Sequence, residues 1–204
     1  FSDARAYLDQ AIDRGMSVDD VAPTLFTFLS SNMEFMPEVA KFRAARRVWA
    51  KLMRETYGSK DPRSEQLRIF VFTAGSSLTA QQPLNNVVRT SIEALAAAMG
   101  GCQTMHVCAF DEALGVPTEA AATLALRTQQ IVAFETGLTD LVDPLGGSEL
   151  LERLTDQLEA EVMVEMDKIA DLGGALACIE SGYFATRLSD SAYETAIAID
   201  TGKR

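Results

Sequence analysis

Apolar and polar positions along this chain follow two rhythms. Residues 2–15 repeat Ala4, Tyr7, Leu8, Ala11 and Ile12 at three- and four-residue intervals, the mark of one buried helical face. Ser2 is the expected N-cap and Gly15 the left-handed stop. Asp19, Asp20 and Pro23 predict a turn. Residues 24–29 form a short, β-prone apolar run, and 37–57 predict a long helix with Val39, Phe42, Val48 and Leu52 on one side. A buried strand is expected at 67–73 (LRIFVFT), an Ala-rich helix at 85–99 stopped by Gly100 and Gly101, a third strand at 102–109, and a helix at 118–134. The strands are near-continuously apolar, as in a parallel sheet covered by helices.

Strand starts lie about 45 and 35 residues apart, against about 31 residues per unit in a (β/α)₈ barrel. The predicted fold class is therefore α/β, with residues 1–137 forming about three β/α units of a partial TIM barrel. Beyond Thr139 the strand signal ends. Residues 143–148 (DPLGGS) form a turn with Ser148 as N-cap, followed by an acidic helix to residue 170, a break at Gly173-Gly174 and two shorter helices near 176–181 and 189–199. Residues 138–204 are read as a C-terminal helical extension or linker.

The chain has 204 residues, of which 48% are apolar, enough for a real core. A net charge of −11 argues against a nucleic-acid partner, and no apolar run approaches the ~20 residues that cross a bilayer. The three cysteines form no CxxC pair, which suits a reducing compartment, so the cytoplasm is the expected location. His106 is the sole histidine. Flanked by Cys102 and Cys108 in the third strand, it is expected to be one of several small, soft strand residues, and no metal is expected.

In a barrel, chemistry sits at the carboxyl ends of the strands, here 28–32, 73–79 and 106–112. The turn at 73–79 either presents N–H groups and hydroxyls to an anion or is an ordinary strand-to-helix turn. Asp111-Glu112 either binds hydroxyls and moves protons or supplies acids to a helix N-terminus. Gln103, a polar residue in an apolar strand, needs hydrogen-bond partners if buried. Trp49 is expected in the core, and Lys41, Arg43, Arg46, Arg47 and Lys51 on solvated or salt-bridged faces.

Four strings together resemble the adenosylcobalamin-dependent acyl-CoA mutases of the methylmalonyl-CoA mutase family: AKFRAARRVWAKLMRE (40–55), SLTAQQPLNNVVRTSIEALAAAMGG (77–101), HVCAFDEALGVPTE (106–119) and DPLGGSELLERLTD (143–156). The TAQQP form leans toward the isobutyryl-CoA and hydroxyisobutyryl-CoA mutase branch. The resemblance implies a barrel that shields a radical carbon-skeleton rearrangement of a short-chain acyl-CoA, with adenosylcobalamin held mainly by a cobalamin domain that this chain does not contain. It implies an isomerase, a cobalamin-binding subunit or domain as partner, and a further mutase chain in an oligomer. By position, Glu112 matches the carboxylate that holds the adenosyl ribose, Gln103 a glutamine on the thioester side, and Thr104 a usual serine.

Several positions depart from the family pattern. Against RTHxQTSGWSLT this chain has RIFVFTAGSSLT, so Phe70 replaces a histidine, Phe72 a glutamine at the cofactor–substrate interface, and Ser76 a tryptophan near the corrin. Cys108 replaces an asparagine at the adenosyl group, and Thr24 and Phe26 replace an arginine and a serine that contact CoA. One lost bond from a charged donor costs ~1.5–3 kcal/mol. Two readings follow: a mutase with a remodelled pocket, or a non-catalytic barrel subunit that supports a catalytic partner. The family's substrate-acting tyrosine–histidine pair and five further strands are expected from a longer product or another chain, because three open strands expose edges and apolar faces.

Overall fold

The computed structural model describes residues 1–203. They form two compact units, residues 19–161 and residues 1–18 with 162–203. The division differs from a boundary at 137, because α1 (Ser2–Asp13) groups with the C-terminal helices.

The larger unit holds a parallel three-stranded sheet, β1 (Thr27–Ser31), β2 (Ile69–Thr73) and β3 (Thr104–His106), in sequential order. Each crossover is a helix: α3 (Phe35–Lys51) between β1 and β2, and α4 (Asn85–Gly100) between β2 and β3. α5 (Glu119–Glu135) follows β3, and α2 (Val18–Val21) precedes β1. This is the expected strand–helix alternation, in an open sheet consistent with part of a TIM-barrel-like domain. Among the described residues no closed barrel forms.

Boundaries move for local reasons. The first strand begins three residues later than the apolar run, because Pro23 lies in a 3₁₀ turn, Ala22–Thr24, in which the Thr24 hydroxyl donates to the Val21 carbonyl at 2.7 Å. The third strand is three residues long instead of eight. Cys102 N–H still closes the preceding helix on Ala97 O at 3.2 Å, and beyond His106 the Cys108 N–H turns to the Thr73 hydroxyl at 2.8 Å. α3 starts at Phe35 and runs on through wider π-turns at Leu52–Thr56. Phe1, not Ser2, takes the cap position of α1, while Thr118 does cap α5, its hydroxyl accepting from Ala121 N–H.

Packing in this unit centres on α3 and α4. Val39, Ala40 and Ala96 are fully buried with Leu151 of α6 (Glu149–Asp171). α3 meets the end of α4 at Gly100, where an added Cβ would lie 2.6 Å from Phe42 Cδ2 and 3.0 Å from Phe42 Cβ. Arg46 then caps α4, donating to the carbonyls of Gly100 (2.6 Å) and Gly101 (2.9 Å), acceptors that the helix itself leaves open at its C-terminus. Trp49 is core, 2% exposed, with its indole N–H on Ser64 O at 2.9 Å.

The basic run of α3 is salt-bridged. Arg43 reaches Thr155 Oγ1 (2.8 Å), Asp143 Oδ2 (3.0 Å) and Glu152 Oε1 (2.7 Å). Arg47 pairs with Asp156 and Glu159, and Lys51 also pairs with Glu159. Two of the four family-like strings thus hold each other. Asp19, expected as a turn residue, fastens the loop before β2 through Lys60 N–H (2.9 Å), Asp61 N–H (3.2 Å) and the Ser64 hydroxyl (2.7 Å).

In the smaller unit, Leu8 of α1 and Cys178 of α7 (Gly174–Glu180) are fully buried, with Met166, Ile169 and Ala175 nearly so. α8 (Tyr183–Asp200) is longer than the expected 189–199, and its Tyr183 hydroxyl donates to Glu165 at 2.6 Å. No described helix is long and apolar enough to cross a membrane.

The close helix contact gives a direct test. Gly100→Ala puts a methyl group into the Phe42 ring, and overpacking of this kind costs about 1–3 kcal/mol. Chemical denaturation of the intact protein is expected to read a loss of that size, with Phe42→Leu in the same background recovering part of it.

Candidate functional site

Parallel pairing fixes which residues share a level. Phe28, Phe70 and Thr104 lie in one row across the sheet, and Ser30, Phe72 and His106 in the row two residues on. Side chains alternate between faces along a strand. Ile69, Val71 and Thr73 are fully buried, whereas Phe28 is 58% and Phe72 38% exposed. One face of the sheet is core, and the other is an open aromatic surface. Phe26, Phe28 and Phe70 form an edge-to-face ladder along it, with centroids 5.3 and 5.1 Å apart.

The nine residues singled out from the sequence sort along the strand axis. Thr24, Phe26 and Gln103 precede their strands, Phe70 and Thr104 form the first exposed row, Phe72 lies in the next, and Ser76, Cys108 and Glu112 follow the carboxyl ends. Thr24 is exposed and turned onto Val21, and Ser76 is exposed in the turn after β2. Gln103 is exposed rather than buried. Its amide oxygen accepts from Ile69 N–H at 2.6 Å, and it lines a cleft with Arg43, Arg46, Arg47 and Arg68 at the amino side of the sheet.

At the carboxyl ends the loops are tied to one another. The Cys108 thiol donates to Thr73 O at 3.0 Å, and burial pushes its pKa up to about 11, so it is a neutral thiol at pH 7. Glu112, half-buried, accepts from Ala109 N–H at 2.7 Å. Asp111 separates from it: its Oδ2 takes the Thr118 N–H (3.0 Å) and hydroxyl (2.8 Å), which supports the start of α5 and holds its pKa below the ordinary carboxylate value. His106, Cys108 and Glu112 converge, their ligand-type atoms all within 4.8 Å of one another. Cys102, on the other side of His106 in sequence, is not in this group.

Two residues of α4 that the sequence pattern passed over organise these loops. Asn86, fully buried, accepts from Thr79 N–H (3.1 Å) and donates to Thr79 O (2.9 Å) and Phe110 O (2.8 Å), joining the loops after β2 and β3. Glu93, also fully buried, accepts from the Ser77 hydroxyl at 2.5 Å, and its backbone carbonyl accepts from the Ser31 hydroxyl at 2.7 Å. The 73–79 turn is therefore a strand-to-helix turn whose Ser77 hydroxyl and Thr79 N–H are internally used, not an open anion cradle. In sequence, Asn86 and Glu93 looked like any polar positions of an Ala-rich helix.

Burial pushes the Glu93 pKa up from its ordinary 4.5 to about 7, opposed by hydrogen bonds from Ser77 and Ala74 and raised further by nearby Glu38. Its Oε2 has no hydrogen-bond partner among the described residues, an arrangement less costly for a neutral acid than for a carboxylate. The folded state then holds a proton that the unfolded state has released between those two values. The stability from this group is complete below pH 4.5 and is lost as pH rises through about 7. Across pH 5–8 the intact protein is expected to lose on the order of 1–3 kcal/mol from this source. Glu93→Gln removes that slope, which thermal melts at each pH can read.

Comparison with known proteins bears on these residues as a set. The family model for methylmalonyl-CoA mutase matches residues 1–204. The chain is 44% identical over 198 residues to the 2-hydroxyisobutanoyl-CoA mutase large subunit of Aquincola tertiaricarbonis, which covers 97% of this chain and 35% of that protein. It is 43% identical over 202 residues to the methylmalonyl-CoA mutase of Cereibacter sphaeroides, 99% of this chain and 28% of that protein. To the methylmalonyl-CoA mutase of Escherichia coli it is 42% identical over 203 residues, 100% of this chain and 28% of that protein. The chain spans 28–35% of the length of these relatives. With a family match over every residue, and a sheet whose exposed rows and carboxyl-end loops carry the motif positions, this chain belongs to the methylmalonyl-CoA mutase family.

Proposed function

We propose that this chain supplies three β/α units to the catalytic barrel of an adenosylcobalamin-dependent acyl-CoA mutase, with residues 1–137 in the barrel region and 138–204 as its helical extension. One observation carries the reading. Residues matched to acyl-CoA contacts (Thr24, Phe26, Phe70, Gln103, Thr104) occupy the amino side and first row of the open face, and those matched to the cofactor (Phe72, Ser76, Cys108, Glu112) occupy the next row and the carboxyl-end loops. Two ligands meeting end to end along the strand axis need such an order.

The residues fit the adenosyl part of the cofactor. Glu112 offers a carboxylate to ribose hydroxyls, and Phe72 an apolar wall for the reacting groups. They supply no cobalt ligand of the DxHxxG type, since His106 stands in TMHVCAF, so a separate cobalamin-binding domain or subunit holds most of the cofactor. When bound, the cofactor supplies the radical. This chain's part is to orient the thioester, hold the ribose and exclude water from the reacting face. A further mutase chain, or the rest of a longer product, covers the aromatic face.

The second reading, a non-catalytic barrel subunit, is favoured by the chemistry of that face. Phe70, Phe72 and Cys108 stand where the family has hydrogen-bonding side chains, and neither phenylalanine can donate or accept. The discriminating experiment combines the intact protein with its partner subunits and adenosylcobalamin, then follows cob(II)alamin absorption as short-chain acyl-CoAs are added. Radical formation with one of them supports the mutase reading, and Glu112→Ala is then expected to weaken cofactor binding at least ~10-fold, since a charge-assisted bond is worth about 1.5–3 kcal/mol. Tight partner association with no radical from any acyl-CoA overturns it in favour of the supporting subunit.

A further inference from the structure

We infer that His106, Cys108 and Glu112 form a binding site for a divalent transition metal, zinc above all, at the carboxyl end of β3. The three side chains offer one imidazole nitrogen, one sulfur and one carboxylate oxygen, and all three donor atoms lie within 4.8 Å of one another. Zinc binds these donors at about 2.0–2.3 Å in a tetrahedral array, which sets them about 3–4 Å apart. Closing the remaining distance takes a movement of about 1 Å, which exposed His106 can make by side-chain rotation while Glu112 keeps its bond from Ala109 N–H.

The mixed donor set points to zinc rather than to magnesium or calcium. A sulfur and an imidazole are poor ligands for those hard cations, which take oxygen. Three protein ligands leave a fourth position open. His106 and Glu112 both line a cleft of about 180 Å³, room for a water or a small ligand in that position. The supporting geometry exists before the metal arrives. Glu112 is anchored by Ala109 N–H and the Cys108 backbone by the Thr73 hydroxyl, while the thiol gives up its hydrogen bond to the Thr73 carbonyl when it binds the metal. As the sulfur–metal bond forms, the S–H bond breaks and its proton passes to solvent.

The site depends on Cys108, one of the six residues by which this chain departs from the pattern of the family it resembles, and it uses the carboxylate matched to the ribose. Metal and ribose are therefore alternative occupants of Glu112. The inference does not rest on the mutase reading, because metal binding is measured whether or not the protein turns over.

The test uses the intact protein stripped with a chelator and titrated with Co²⁺, then with Zn²⁺ as competitor. One equivalent of Co²⁺ is expected to give a near-ultraviolet thiolate-to-cobalt band that Zn²⁺ abolishes. Losing an outer hydrogen-bond partner of a ligand costs about 10–100-fold in affinity, so His106→Ala is expected to weaken binding ~100-fold or more. His106 is exposed, and its removal leaves the core untouched. Cys108→Ser is expected to remove the band, with circular dichroism confirming the fold. Absence of a thiolate band in the wild-type protein overturns the inference. So does a band with unchanged affinity in His106→Ala, which would show that the imidazole is not a ligand, or a band that persists in Cys108→Ser, which would locate the metal at another cysteine.

Discussion

Helix α4 is the member on which the site depends, because it carries two fully buried polar side chains into the carboxyl end of the sheet. Asn86 fastens the loop after β2 to the loop after β3, and Glu93 fastens the turn after β2 and accepts the end of β1 through its backbone carbonyl. A buried amide is tolerated where its bonds are made, and a buried acid left with one unpartnered oxygen costs least when it is neutral. The three strand ends are consequently held at fixed spacing by one helix. That helix is positioned by the Gly100–Phe42 contact and by Arg46 on its final carbonyls.

This arrangement explains why the candidate chemistry gathers where it does. Thr73 is the last residue of β2, and both its hydroxyl and its carbonyl are used by Cys108. The loop after β3 is thereby drawn over β2, and His106, Cys108 and Glu112 come within reach of one another. Asp111 leaves the group because Thr118 needs it to start α5. The two acids are adjacent in sequence yet have different roles, one structural and one available to a ligand.

The open aromatic face carries the other half of the argument. Phe26, Phe28, Phe70 and Phe72 together leave a large apolar area on one face of a sheet whose other face is core. Exposed patches of this kind mark binding surfaces. The family to which the chain belongs, and a chain spanning about a third of the matched relatives or less, make further barrel strands a natural covering in the proposal. Under the proposal, Phe70 and Phe72 make the face apolar where hydrogen-bonding side chains are implied, so packing and catalysis pull the two functional readings in opposite directions.

Periodicity and family strings alone determined the strand–helix order, the small-residue stops and the family, because these depend on local spacing and on motifs contiguous in the chain. Trp49 as core and Lys41, Arg43, Arg47 and Lys51 as salt-bridged cations were legible for the same reason, whereas Arg46, expected on a solvated or salt-bridged face, instead turns inward onto the Gly100 and Gly101 carbonyls. Strand lengths were not. Whether residues 107–109 pair depends on where their N–H groups find acceptors, and Cys108 found the Thr73 hydroxyl, 35 positions away. Nor were Asn86 and Glu93 visible, since a helical pattern does not say which polar side chain faces a turn from another part of the chain. The cluster of His106 and Cys108 with Glu112 rather than Cys102 likewise followed from the fold. Sequence neighbours in a strand point to opposite faces or leave the sheet, and only the path of the loop after β3 decides which donors meet.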